Sequence, residues 1–341
     1  MQKVAIVGAS GYAGAELIRI IHAHPQFDLA VVTAGSNAGA LVAHVHPQFS
    51  AVPAVGNLEF LPTQPSSLFG MDLIFMALPH GESAALVSVL PSDVRIVDLG
   101  ADFRLVDPNA WKKYYGGTHA GTWTYGLPEL RGHRTFISQS ARVANPGCYA
   151  TAIQLGLAPI MNLISATDIV VVAASGTSGA GRSAKVNLLG SEVMGSMSTY
   201  KVGGTHQHTP EIEQSLSRVS GENVEINFTP MLAPMTRGIL ATSSARTYVS
   251  ETELWETLTT AYQKEPFISV LPQGQLPVTA STYGSNAVHI QVAKDERTNR
   301  ATVFVALDNL VKGAAGQAVQ NTNIMFGFPE TTGLSAIGVA P

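Results

Sequence analysis

One residue dominates the chemistry this chain could do. Among 341 residues there is a single cysteine, Cys148, in the run Asn145-Pro146-Gly147-Cys148-Tyr149-Ala150-Thr151. The segment that follows, from Tyr149 to Ala158, is mostly apolar. It predicts a buried helix with Cys148 at its N-terminal end, where unpaired backbone amides and the helix dipole favour the thiolate, the nucleophilic form. Pro146 stiffens the approach, and Gly147 permits close passage of another group. A buried structural thiol satisfies the same residues, because free cysteine is among the most buried residue types. A nucleophilic thiol needs a proton-exchanging partner, and His206 and His208 stand in Gly203-Gly204-Thr205-His206-Gln207-His208-Thr209-Pro210. Thr209 reads as an N-cap with Pro210 in the first helical turn, which leaves both imidazoles in a glycine-loosened loop before a helix. Such a pair can be incidental; with Cys148 it reads as an acid/base, His206, and a substrate or orienting contact, His208.

Anion-binding groups come next. The apolar run Asp168–Ala174 predicts a strand that empties into Ser175-Gly176-Thr177-Ser178-Gly179-Ala180-Gly181-Arg182. That loop is rich in N–H and O–H donors suited to an oxyanion or a phosphate. Small polar residues also populate loops for conformational reasons alone. Arg104, in Gly100-Ala101-Asp102-Phe103-Arg104, is either an anion clamp or half of an ion pair with Asp102 or Asp107. His44 and His46 alternate without a carboxylate or thiol partner in a recognisable motif, so no metal is expected.

The elements that would position these groups begin at the N-terminus. Lys3–Val7 predicts a strand, Gly8-Ala9-Ser10-Gly11-Tyr12-Ala13-Gly14 a glycine turn, and the residues from Ala15 a helix. Strand, glycine turn and helix form a cradle for a pyrophosphate, with amide donors and positive potential at the helix N-terminus. The spacing is G-x-x-G-x-x-G rather than G-x-G-x-x-G, so the position directly after the first strand carries the reading. After a second predicted strand, Asp28–Ala34, comes Gly35-Ser36-Asn37 with no acidic residue. That tolerates a 2′-phosphate and favours NADP, with Ser36 as a contact. Further strands at Asp72–Leu78 and Val94–Leu99 alternate with helical segments and indicate a doubly wound parallel sheet. Their ends put Pro79-His80-Gly81 and the Arg104 loop along the ligand crevice. The turn Tyr125–Leu130 demands no chemistry.

Composition sets the limits. The chain is long enough for two domains and 45% hydrophobic, ample for sizeable cores. A formal charge of −4 without basic or acidic blocks argues against nucleic acid or an anionic membrane and leaves small ligands as partners. One cysteine cannot form an internal disulfide, and the first residues run into a strand without signal-peptide architecture, so a cytoplasmic location is expected. In the second half, strands are predicted at 224–228, 238–242, 287–292 and 300–307, with a helix from about Thr252 to Tyr262. This is an α+β domain on a mostly antiparallel sheet. A final small-residue helix from about 308 to 320 is capped by Asp308 or Asn309.

An ordered set of motifs then ties the chain to a family. GASGYAG at 8–14, ALPHG at 77–81, DLGADFRL at 98–105, YGLPEL at 125–130, NPGCYAT at 145–151, SGTSGAGR at 175–182, HQHTPEIEQ at 206–214 and DNLVKGAAGQAVQN at 308–321 together resemble the N-acetyl-gamma-glutamyl-phosphate reductases. More distantly they resemble the aspartate-semialdehyde and glyceraldehyde-phosphate dehydrogenases. The resemblance spans nearly the whole length. It implies an NADP-binding Rossmann domain over 1–147, completed by a C-terminal helix at about 309–330, and a catalytic and oligomerisation domain over 148–308. It also implies a homodimer or homotetramer, and an NADPH-dependent reduction of an acyl phosphate in arginine biosynthesis through a thioester. Cys148 would be the nucleophile and His206 the acid/base that activates the thiol and then protonates the oxyanion. Cofactor contacts are implied at Gly8, Ser10, Gly11, Tyr12, Ala13, Gly14, Ser36, Pro79, Ser178, Gly179 and Asn309. Substrate contacts are implied at Arg104, Asn145, Ser175, Gly176, Tyr200 and His208. Many members carry an arginine after the second strand, where this chain has Ser36-Asn37. An aspartate-semialdehyde or amino-adipate-pathway enzyme, a non-catalytic NADP-binding sensor and a cysteine hydrolase are the competing readings.

Overall fold

The computed structural model describes residues 1–340. The chain forms two compact units, one of residues 1–128, 133–146 and 314–334, the other of 129–132, 147–313 and 335–340.

The first unit is built on a seven-stranded sheet in the order Leu61–Pro62, Phe27–Ala34, Gln2–Val7, Leu73–Met76, Arg95–Asp98, Arg142–Ala144, Thr124–Tyr125, with every neighbouring pair parallel. Val4–Val7 and all of Leu73–Met76, at the centre of the sheet, are buried, as parallel strands covered on both faces must be. The order of strands reverses beside Gln2–Val7, so the ends of that strand and of Leu73–Met76 flank the topological switch point where such sheets take ligands. The helix Gly316–Phe326 is buried over residues 316–325 and packs on Arg95–Asp98 and on the helices Tyr12–His22 and His133–Ser138. A chain of small and amide side chains can pass that deep because the amides are satisfied. Asn321 donates to Gly126 O and to Asn145 Oδ1, and Asn323 donates to the carbonyls of Glu330 and Thr332.

The second unit also has a seven-stranded sheet, ordered Ile268–Val270, Val288–Asp295, Arg300–Leu307, Ile239–Arg246, Ile169–Ser175, Ile226–Leu232, Ser198–Thr199. Four of its neighbouring pairs are antiparallel and two are parallel. One face carries the helix Cys148–Leu157, which packs on Ile239–Arg246 and Arg300–Leu307. Gly156 lets it sit close, since a Cβ there would lie 2.8 Å from Val305. In Ile169–Ser175 alternate residues are buried while Val170 and Val172 stay exposed, so that strand presents an apolar edge away from its own core.

Two local expectations shift. The helix Thr209–Ser220 has His208, not Thr209, at its N-cap, because the His208 amide is held by the His206 ring and the chain turns helical one residue later. The C-terminal helix is introduced by a π-helical turn, Val311–Ala315. Asp308 serves as the cap, its Oδ1 accepting from the amides of Leu310 and Val311. Asn309 turns the other way, onto Gly238 and Ser178.

Candidate active site

In the second unit, the helix bearing the cysteine has Gly147 at its N-cap and Cys148 as its first residue. The thiol is neither fully exposed nor buried, at the end where amides and dipole stabilise negative charge. Three elements converge there. From the loop before Thr209–Ser220, the His208 ring lies against the Gly147 backbone, where a Cβ would come within 2.3 Å of Nε2. The His206 and His208 rings are 4.8 Å apart, and His206 also packs edge-on against Tyr149, Tyr200 and Phe228. From the π-helical turn, Gly313 approaches so closely that a Cβ there would be 2.8 Å from Cys148 Cβ. Tyr149 OH donates to Met231 O and accepts from Tyr200 OH. Burial raises both phenols, Tyr200 to about 12, so they act as neutral hydrogen-bonding groups.

His206 is 6% exposed, and its pKa is pushed down to about 2, first by burial and then by the charges of His208 and Lys201, with Glu211 opposing. Its Nδ1 lies 3.0 Å from the His208 backbone N–H. A backbone amide only donates, so Nδ1 accepts, and the neutral ring carries its proton on Nε2. In this state His206 is a hydrogen-bond donor through Nε2. Taking up a proton at Nδ1 would cost the bond to His208.

The loop after Ile169–Ser175 is pinned rather than loose. Gly176, Thr177 and Ser178 donate backbone bonds to Gly238, Met235 and Thr236, and Asn309 bridges Gly238 N and Ser178 Oγ at 2.8 and 2.9 Å. Gly179 has room only for hydrogen, with Ser175 Oγ 2.9 Å from where a Cβ would stand. Arg237, with its guanidinium on Asp308 and over the Tyr283 ring, borders the same loop, since a Cβ at Gly176 would meet Arg237 N at 2.7 Å.

In the first unit, Gly8 has φ +74° and no space for a side chain, Ala77 O lying 2.3 Å from a Cβ position. The glycine turn is thus packed on the segment leading to Pro79. A Cβ at Gly14 would fall 2.5 Å from Ala9 Cα, so helix and turn approach as closely as a dinucleotide cradle requires. The helix Tyr12–His22 begins at Gly11 with no side-chain cap and no acidic residue in its first turn, which leaves its N-terminal field for an anionic ligand. Ser10 is partly exposed, and Tyr12, Ser36 and Pro79 are exposed. These residues fit a bound dinucleotide.

Two expected substrate contacts are buried. Arg104 is 3% exposed and donates from Nε to Asn145 O and from Nη2 to Leu99 O. Asn145 is 1% exposed, with its amide joined to Ala314 O and Asn321. These bonds tie both side chains to the frame that holds the chain before the cysteine. Asp102 accepts from the amides of Gly81 and Ala84, and Asp107 caps the helix Pro108–Tyr114.

Two curated relatives are N-acetyl-gamma-glutamyl-phosphate reductases, from Acidothermus cellulolyticus, 58% identical, and from Frankia casuarinae, 56% identical, each over 99% of both chains. The chain belongs to the N-acetyl-gamma-glutamyl-phosphate reductase family. Residues 3–138 match the semialdehyde dehydrogenase NAD binding domain and residues 148–309 the semialdehyde dehydrogenase dimerisation domain. Two solved structures share the fold. Aspartate semialdehyde dehydrogenase II of Vibrio cholerae complexed with ASA is 14% identical, TM-score 0.71, over 96% of this chain and 98% of that one. The Candida albicans aspartate semialdehyde dehydrogenase with NADP is 16% identical, TM-score 0.69, over 96% and 98%. The family's expected two-sheet architecture is the one observed. No helix among the described residues is long and apolar enough to cross a membrane, and none of their His, Cys, Asp and Glu side chains forms a group of three or more fit to hold a metal ion.

Three site residues escaped the sequence reading. Glu211 was only an acidic residue in a helix's first turn, yet its Oε1 accepts from Gly147 N at 2.8 Å. Glu129, in the turn judged to demand no chemistry, forms a fully buried ion pair with Lys312, Nζ to Oε1 2.5 Å. Gly313 signals itself only as one small residue among several. A charged residue inside an otherwise apolar motif was the available clue for Glu129; Glu211, in a polar motif, offered none.

Proposed function

We propose that this chain reduces N-acetyl-L-glutamyl 5-phosphate to N-acetyl-L-glutamate 5-semialdehyde and phosphate with NADPH, in the arginine biosynthesis of the cytoplasm, through a thioester on Cys148. The observation that carries the reading is a single, partly exposed thiol at the first position of a helix whose N-cap glycine lies against the His208 ring and whose next residue, Tyr149, packs edge-on against both histidines. Cys148 thiolate adds to the acyl carbon, the carbonyl electrons move onto oxygen, and their return expels phosphate and leaves the thioester. NADPH, when bound, supplies the hydride. The resulting thiohemiacetal oxyanion collapses to the aldehyde and returns the electron pair to sulfur, and the one proton consumed overall is taken up by the departing phosphate. His206, whose neutral ring carries its proton on Nε2, is proposed to steady the oxyanion and to exchange the proton that the departing phosphate takes up. Ser175, Gly176, Tyr200 and His208 are proposed to face the substrate, with the phosphate on the pinned 175–182 loop. Gly8 to Gly14, Ser36 and Pro79 are proposed to hold the dinucleotide, and Ser178 and Gly179 its nicotinamide end. We place self-association on the dimerisation domain, where Val170, Val172 and Val186 are exposed.

The test is the reverse reaction, nicotinamide reduction by N-acetylglutamate semialdehyde that requires inorganic phosphate, with aspartate semialdehyde as the competing substrate. Cys148→Ala should lose essentially all turnover and still bind NADPH. Appreciable activity in that variant removes covalent catalysis, and preference for aspartate semialdehyde removes the substrate assignment.

A further inference from the structure

Glu211 is fully buried. It is the third residue of the helix Thr209–Ser220, a position from which a glutamate commonly reaches back to its own N-cap amide. Here its Oε1 instead accepts from Gly147 N, 64 residues away, at 2.8 Å in a buried setting. Gly147 is the N-cap of the cysteine helix. Its amide is one of the four at that terminus without an intrahelical partner, so it is spent on Glu211 and not offered to an oxyanion.

The same glycine is gripped from a second side by the His208 ring, and the His208 amide fixes His206 through Nδ1. Glu211 and His208 are three residues apart on one element, so a single short segment carries both contacts to Gly147 and the hydrogen bond that orients His206. Burying a carboxylate is costly unless a specific partner answers it. A carboxylate held this way sets the distance between two elements more rigidly than apolar packing would, because a hydrogen bond tolerates little stretch.

We propose that Glu211 is a positioning residue for the reaction. By holding the Gly147 amide, it fixes Cys148 in register with the histidine-bearing segment. The inference rests on Cys148 being the reacting residue, and Cys148→Ala tests that separately.

The experiment compares Glu211→Gln with Glu211→Asp in the full-length enzyme, measuring kcat, KM for N-acetylglutamate semialdehyde, NADPH binding and Tm. Glutamine keeps an acceptor at the same reach and removes the charge. Aspartate keeps the charge and withdraws the acceptor by one methylene. The expected result is that Glu211→Asp loses at least tenfold in kcat, with KM, NADPH affinity and Tm little changed, while Glu211→Gln recovers to within about fivefold of wild type. Equal, near wild-type kcat in both variants overturns the proposal, as does a glutamine variant no better than the aspartate one. An aspartate variant whose kcat, cofactor binding and Tm all fall together also overturns it, because the residue then serves the scaffold alone.

Discussion

Gly147→Ala isolates the contact between the cysteine helix and the histidine segment. The backbone at Gly147, φ −71° and ψ 149°, is extended and open to any residue, so strain in the main chain is not at issue. The new Cβ would stand 2.3, 2.5 and 2.7 Å from His208 Nε2, Cε1 and Cδ2. Restoring an ordinary contact of 3.4 Å requires the ring to retreat by 3.4 − 2.3 = 1.1 Å. Overpacking of this kind costs about 1–3 kcal/mol in stability. A misplacement near 1 Å in a reacting constellation costs on the order of 100-fold in rate, or about 2.7 kcal/mol of barrier. Initial rates of the phosphate-dependent reverse reaction should therefore show kcat down about 100-fold with KM little changed, and thermal unfolding a modest fall in Tm. The His208→Ala background supplies the control. With the ring gone, adding Gly147→Ala should cost less than about threefold more, a strong departure from additivity. A single variant within about threefold of wild type, or full additivity in the double variant, refutes the steric argument.

Two further outcomes concern stability. Lys312→Met strands the Glu129 carboxylate, both side chains being essentially inaccessible, and should cost about 3–5 kcal/mol. Lys312→Met with Glu129→Leu should recover at least half of it in urea denaturation, and a double variant no better than the single would show that packing, not the unpaired charge, sets the loss. His206 titrates near 2 in the folded chain against 6.5 ordinarily. Below about pH 6.5 the unfolded chain binds a proton the folded one refuses, so His206 leaves stability untouched above that pH and removes it as pH falls toward 2. His206→Asn should flatten the decline of Tm below pH 6.5, and parallel Tm–pH curves for the two proteins would contradict the buried, neutral imidazole.

Local chemistry was legible where a residue's neighbours in sequence are also its neighbours in space. The strand, glycine turn and helix at 2–22 follow from apolar runs and glycine spacing, and Cys148 falls at the first position of its helix as the apolar run after it predicts. The bounds of one strand differ. It was expected to stop at Phe228, yet Ile226–Leu232 runs on through Pro230 beside the two-residue edge strand Ser198–Thr199, near the sheet's edge, where proline is tolerated. Arg104 and Asn145 have bonds that no local pattern announces. Their side chains carry the donors that anions need, but the partners that claim them, Leu99, Ala314 and Asn321, lie on other elements of the same unit.

What the amino-acid order determined by itself is the reagent, one thiol at a helix start, a histidine pair before another helix and a dinucleotide turn, because residue type and short-range geometry decide those. Only the tertiary structure decided the settings of these parts. It made His206 neutral with its proton on Nε2, tied Gly147 to Glu211, and buried Lys312 with Glu129. Burial and hydrogen bonds between residues 64 and 183 positions apart govern charge, tautomer and register, and no local pattern encodes them.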